Sequence, residues 1–386
     1  MNKVFNNISA TAAALLMASA AHSQTATPNP TGPLAKANIG PANAAGQFWT
    51  PERLKSARPL PVPQARQGMV SAAPPSALGA AAPVRNEGSP PTVQVAPRER
   101  RLFTPDKRSA VAPADAPVRP SAAGNLGACF TSTRVFPMFN GEAAEYSADR
   151  VFPYRAVGKL FFTANGAPFT CSAAVLQRRV VVTAGHCVHS GSPNGFYENF
   201  LFVPAYRDGV APFGAWTWSN VIVAPAWANG GGMVPNPADY AMISFRDQRL
   251  EPDAPLSRLG DVAGWFGWQT GSLYPNHTSK IGYPCNLDDC EKMQNVMSAS
   301  LRATDANTVE YGSDAREGSS GGPWIQNLEQ VSLGGASGID AVPNVLVGVT
   351  SYIYNDQLEK AQGSSVPDNR WIQLWKAICA SSGNCN

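Results

Sequence analysis

Gly318-Ser319-Ser320-Gly321-Gly322-Pro323 decides how this chain is read, because Thr183-Ala184-Gly185-His186-Cys187 stands ahead of it. Either short motif alone is weak. In this order they supply a base and a nucleophile for acyl transfer. A serine hydroxyl attacks poorly near neutral pH until a neighbouring imidazole takes its proton. His186 is the candidate base and Ser320 the candidate nucleophile. The chain has four histidines. His22 falls in a leader-like segment, His189 shares the loop of His186, and His277 sits among Asn276, Thr278 and Ser279. Gly318 and Gly321 let the second loop take backbone angles closed to other residues. The N–H groups of Gly318 and Ser320 then converge where a tetrahedral oxyanion would form, and one such donor is worth about 3–4 kcal/mol of barrier. Ser319 is the near rival, but its use would put the glycines out of register. The imidazole also needs an acid to fix its tautomer. Asp239 stands just before an apolar strand, whereas Asp208, Asp253 and Asp261 sit in turn-rich contexts.

The N-terminus reads as an export signal over 1–23. Lys3 begins it, Ile8 to Ala21 is an apolar run too short to span a bilayer, and Ala21-His22-Ser23 offers small residues for cleavage. No later stretch is long and apolar enough for a transmembrane segment. Export suits the seven cysteines, all at or after Cys129. His186-Cys187-Val188-His189 is too crowded for a zinc site, so neither metal nor cofactor is expected. The reading places the protein outside the cytoplasm, secreted or periplasmic, as a monomer acting on protein or peptide substrates.

Residues 24–125 form a separate region rich in Pro, Ala and Arg. Residues 25–120 hold 18 of the 34 prolines and 12 Lys and Arg against 5 Asp and Glu. Phe48, Trp49 and Phe103 are its only large aromatic residues, and it has no Tyr. Such a segment cannot bury enough surface to offset ordering entropy, so it is expected to be disordered, as a propeptide or spacer. Its basic charge fits a solvated tail better than a nucleic-acid surface, and no nucleic-acid partner is expected.

From 126 to 386 the composition is that of a globular β domain. Alternating apolar patterns predict strands at Val157 to Thr163, Cys171 to Leu176, Arg179 to Thr183, Phe200 to Val203, Thr217 to Val223 and Tyr240 to Phe245, and a late run at Val345 to Tyr354. Trp371, Leu374, Trp375 and Ile378 fall on one face of a helix over Asn369 to Ala380. The expected architecture is all-β: two packed six-stranded antiparallel barrels, at about 150–255 and 256–370, with a C-terminal helix and the cleft between them.

These motifs, with Ala238-Asp239-Tyr240-Ala241-Met242-Ile243 between them, resemble serine peptidases of the trypsin fold. Tyr154 to Phe162, Phe202 to Tyr206 and Gly282-Tyr283-Pro284 are similar to the exported bacterial branch related to glutamyl endopeptidases. The resemblance covers roughly 150–355. It implies a His186–Asp239–Ser320 triad, an oxyanion hole at Gly318 and Ser320, and a disulfide between Cys171 and Cys187. It also marks Asp314, Thr350, Ser351 and Tyr352 as specificity-pocket positions. Asp314 is read either as a pocket floor selecting Arg or Lys, or as a turn residue. Thr350 stands where glutamyl-specific relatives have His. Ser319 replaces the Asp that activates digestive relatives. Proximity pairs Cys285 with Cys290 and Cys379 with Cys385, leaving Cys129 over. A catalytically silent binding or adhesion protein on the same fold is the alternative.

Overall fold

Two strands open the first barrel, Val157–Ala164 (β1) and Ala167–Val175 (β2). Only Asn165 and Gly166 separate them, at φ of 51° and 78°. Asn-Gly tolerates this left-handed geometry, and the resulting tight turn matches the twist of the strands it joins. The register follows, with Leu160 opposite Cys171. Val180–Thr183 (β3), Glu198–Pro204 (β4), Trp216–Val223 (β5) and Ala241–Phe245 (β6) complete the ring. The order β1–β2–β3–β6–β5–β4 closes back on β1, all antiparallel. The molecule is a computed structural model. It describes residues 32–41, 44–66, 68, 70–72, 82–106, 128–135, 147–328, 342–356, 359–381 and 383–386.

The second set comprises His277–Gly282 (β7), Gln294–Ala303 (β8), Thr308–Gly312 (β9), Pro323–Gln326 (β10), Val345–Val349 (β11), Tyr352–Tyr354 (β12) and Ala361–Ser365 (β13). Pairing runs β10–β7–β8–β9–β13–β12, and β10 also pairs with β11. The ring closes because β11 and β12 are one run of chain interrupted at Thr350 and Ser351. At that break Thr350 exchanges backbone hydrogen bonds with the loop that carries Ser320: its N–H donates to Gly322 O, and its carbonyl accepts from Gly321 N–H.

Asn369–Cys379 (α1) starts at Asp368, whose Oδ1 accepts the Arg370 N–H at 2.9 Å. Trp371, Leu374 and Ile378 are buried, and Trp371 packs edge-on to Tyr240 and Trp268. Burial of each such side chain contributes about 1.5–3 kcal/mol. Among the described residues no helix is long and apolar enough to cross a membrane.

Among its described residues the Pro-rich segment builds no core of its own. Its described stretches add to the barrels. Leu34–Ala37 pairs antiparallel with β5, Arg58–Pro59 parallel with β2, and Gln64–Ala65 parallel with β12. Further along, Thr131–Arg134 pairs antiparallel with β8. The few large apolar residues are the anchors. Trp49 is buried edge-on to Phe161 and donates Nε1–H to Asn199 O at 2.6 Å; Phe103 stacks on Tyr206. An extended chain needs only a free strand edge and a pocket for an occasional side chain.

Candidate active site

Strand β3 ends at Thr183 and delivers His186 to the barrel rim in a short 3-10 turn, Gly185–Cys187. Asp239 lies just before β6, the neighbour of β3 in the sheet. This adjacency brings acid and imidazole together. His186 Nδ1 is 2.8 Å from Asp239 Oδ2, and the His186 backbone N–H donates to Oδ1 at 2.8 Å. Asp239 is fully buried. Its backbone N–H donates to Ser365 Oγ at 3.0 Å, and Oδ2 also accepts from Ser351 Oγ at 2.6 Å. A buried carboxylate with these donors is acceptor-only, so it holds the proton of His186 on Nδ1 and leaves Nε2 as the acceptor.

The loop that carries Ser320 is fastened to β2. Ser172 N–H donates to Ser320 O at 2.8 Å, Ser172 Oγ donates to Gly318 O at 2.8 Å, and Thr183 Oγ1 donates to Ser172 O at 2.9 Å. Gly318 and Gly321 take φ of 91° and 74°. A Cβ on Gly321 would collide with Thr183 Oγ1 and lie 2.6 Å from Ser172 O, so the loop needs glycine for space as well as for angle. Ser320 Oγ and His186 Nε2 are both buried without a hydrogen-bond partner among the described residues. The N–H groups of Gly318 and Ser320 likewise donate to no backbone acceptor among the described residues.

The other sequence-derived positions divide. Thr350 lines a small cavity behind Ser319, together with Lys280, Ala315 and Gln362, and accepts from Trp324 Nε1–H at 2.9 Å. The Tyr352 hydroxyl donates to Glu310 Oε1 at 2.9 Å. Asp314 is half-buried, and its carboxylate accepts from Ser132 Oγ on the strand Thr131–Arg134. Sequence reasoning missed Ser172, Ser365 and Lys280. Single serines carry no pattern, and a lysine in a strand is read as solvated. Burial pushes Lys280 down to about 7, with Asp314 pulling the other way.

Disulfides join Cys171 to Cys187, Cys285 to Cys290 and Cys379 to Cys385, and Cys129 is free and exposed. Among the described residues, one group of three could hold a metal ion by position: Cys171, His186 and Cys187. Its donors do not fit, because the two sulfurs are bonded to each other and Asp239 holds the histidine.

Comparison with known proteins places these features. The chain is similar to a glutamyl endopeptidase of Bacillus licheniformis, 23% identical over 212 residues, 54% of this chain and 61% of that protein. It is similar to a protein named extracellular metalloprotease from Bacillus subtilis, 23% identical over 193 residues, 48% of this chain and 56% of the relative. The chain thus spans about three-fifths of the length of these curated relatives. Among solved structures, the protease Anisep from Arthrobacter nicotinovorans aligns with a TM-score of 0.49 at 26% identity, over 59% of this chain and 96% of that one. Residues 147–367, more than half of the chain and the whole of both barrels, match the family described as Trypsin, and the protein belongs to that family.

Proposed function

We propose that this protein is an exported serine endopeptidase that works through an acyl-enzyme on Ser320. The observation that carries the reading is the contact of His186 Nδ1 with the fully buried Asp239, which leaves Nε2 as the base. His186 takes the proton of Ser320 as Oγ attacks a peptide carbonyl. The oxyanion is met by the N–H groups of Gly318 and Ser320, which donate to no backbone acceptor among the described residues. His186 then gives its proton to the departing amine, and the C–N bond breaks. Water enters, His186 takes a proton from it, and hydroxide attack on the ester returns Ser320 with its proton. Asp239 stabilises the imidazolium throughout. The chemistry needs no cofactor. Residues 1–23 direct export, a destination consistent with the three disulfides.

A fluorophosphonate probe tests this reading, since it adds covalently to an activated serine. The purified protein is expected to be labelled on the peptide containing Ser320 and to hydrolyse casein; Ser320→Ala should do neither. Equal labelling of the two proteins would assign the nucleophile elsewhere. A wild type that neither labels nor cleaves, with or without its N-terminal segment, would favour a silent binding protein.

A further inference from the structure

Residues Arg58 to Ala65 cross from one barrel to the other. Arg58 and Pro59 pair in parallel with Phe169 and Thr170, and Leu60 N–H donates to Thr170 O at 3.0 Å. Gln64 and Ala65 pair in parallel with Ile353 and Tyr354. Pro63 O accepts from Ile353 N–H at 3.1 Å, and Ala65 O accepts from Asn355 N–H at 3.3 Å.

Both landing points belong to the frame of the candidate site. Thr170 precedes Cys171, whose disulfide partner Cys187 follows His186. Two residues past Thr170, Ser172 N–H holds the carbonyl of Ser320. On the other side, Ile353 lies two residues beyond Ser351, whose hydroxyl holds Asp239. The stretch between the landing points, Leu60 to Pro63, can reach no more than roughly 10 Å. It therefore bridges the two barrels next to the residues that hold Ser320 and Asp239. Val62 is only 2% exposed between exposed Pro61 and half-buried Pro63, so its side chain is directed into the protein. Ser320 Oγ and His186 Nε2, the two atoms that must meet a substrate, are shut away from solvent.

We propose that the Thr170 carbonyl and the N–H groups of Ile353 and Asn355 form a strip for an extended peptide backbone, and that Leu60 to Ala65 fills it and blocks Ser320. Recognition is by backbone hydrogen bonds to a strand edge, with apolar side chains buried between them. The composition of the occupant fits the task. Pro59, Pro61 and Pro63 fix φ, remove alternate N–H donors and favour an extended chain. Of the three peptide bonds between Leu60 and Pro63, two end on proline ring nitrogens, which makes the stretch a poor substrate while it is a good occupant. Three backbone hydrogen bonds and the buried side chains of Leu60, Val62 and Ala65 hold it, a small attachment that competing peptide or loss of the segment would release.

This inference rests on Ser320 being a nucleophile, so its test carries a readout that does not. In the full-length protein, Val62→Asp puts a charge where a buried methyl pair sits. Fluorophosphonate labelling is expected to speed up at least tenfold over wild type, and the amides of Ile353 and Asn355 to lose protection from hydrogen exchange. A synthetic peptide of residues 57–66 added to Val62→Asp should slow labelling again, which also shows that the variant is folded. Equal labelling rates and equal protection in the two proteins would overturn the proposal, as would faster labelling with protection at both amides unchanged. Loss of protection with no labelling of any form would instead overturn the role of Ser320 and the blocking function with it.

Discussion

Ser351 Oγ donates to Asp239 Oδ2 at 2.6 Å, the same oxygen that faces His186 Nδ1 at 2.8 Å. Ser351 comes from the second barrel and the acid and histidine from the first. Ser365, also in the second barrel, accepts from the Asp239 N–H at 3.0 Å. The orientation of the imidazole thus depends on both barrels, and the break between β11 and β12 puts Ser351 where the acid needs it.

A hydrogen bond to a charged group contributes about 1.5–3 kcal/mol. Ser351→Ala should therefore lower kcat/KM by roughly tenfold or more, a factor that corresponds to about 1.4 kcal/mol. Asp239→Asn should cost about 10⁴ in kcat, because the amide favours the wrong tautomer. Steady-state kinetics on a fluorogenic peptide, with circular dichroism to confirm folding, decides. An unchanged Ser351→Ala would mean that the two remaining contacts already fix the acid.

Gly318 combines φ of 91° with close neighbours, so a Cβ there would lie 2.9 Å from Cys285 Sγ and closer still to Tyr283 O. The alanine variant must turn the 318 peptide and move its N–H. Gly318→Ala is expected to lower kcat by about 10²–10³ with little change in KM, the loss that follows removal of one oxyanion donor. A rise in KM with kcat preserved would place this amide in substrate binding instead.

The first barrel was legible because its strands are strongly apolar: Val157–Ala164 and Trp216–Val223 fall within a residue of the sequence reading. Much of the second was not. Ala361–Ser365 reads AQGSS, without a period-two signal, and Gln294–Ala303 reads QNVMSASLRA, whose alternation from Met297 runs the wrong way, with Ser298 buried and Ala299 exposed. Their polar residues, and those of β7 and β9, turn inward to a hydrogen-bonded interior around Lys280 and Glu310, which hydrophobicity cannot reveal. Val345 to Tyr354 reads as a single apolar run, since a break held by Thr350 and Ser351 depends on partners far away in sequence. The His186 and Ser320 motifs stood out because steric demands on their loops restrict the residue types. The attachment of Leu34–Ala37 and Gln64–Ala65 was hidden for the opposite reason: edge pairing uses the backbone and leaves almost no mark on composition.

Glu310 is fully buried and accepts from Arg302 Nε–H at 2.6 Å, from the Tyr352 hydroxyl at 2.9 Å and from the Tyr354 hydroxyl. Removing the acid strands three donors, whereas removing Arg302 leaves the carboxylate with both phenols. Glu310→Met should lower the unfolding free energy by about 3–5 kcal/mol, as expected for breaking a buried pair. Arg302→Met should cost less, since its side chain is 39% exposed and already partly solvated. Urea unfolding of both variants gives the order, and a larger loss for Arg302→Met would show that the tyrosines do not sustain the charge.

Lys280 gives the fold a pH dependence of predictable sign. Its ammonium is buried, donates to Ser298 Oγ and to Gly312 O, and lies 5.3 and 5.4 Å from the ring centres of Tyr311 and Trp324. These contacts and Asp314 favour the charged form, but loss of hydration outweighs them and brings Lys280 down to about 7 from an ordinary 10.5. Between those two values the unfolded chain holds a proton on this lysine that the folded chain has released. Stability contributed by this group therefore rises with pH across the window, is complete above the unfolded value, and is lost as pH falls through about 7. Lys280→Met keeps the length of the side chain and removes the titration. Its Tm should climb less steeply than that of wild type between pH 7 and 10, and should exceed wild type at pH 6, where the buried charge is fully present. Scanning fluorimetry in matched buffers measures both slopes; parallel curves would mean that water reaches the ammonium and that Lys280 keeps its ordinary titration.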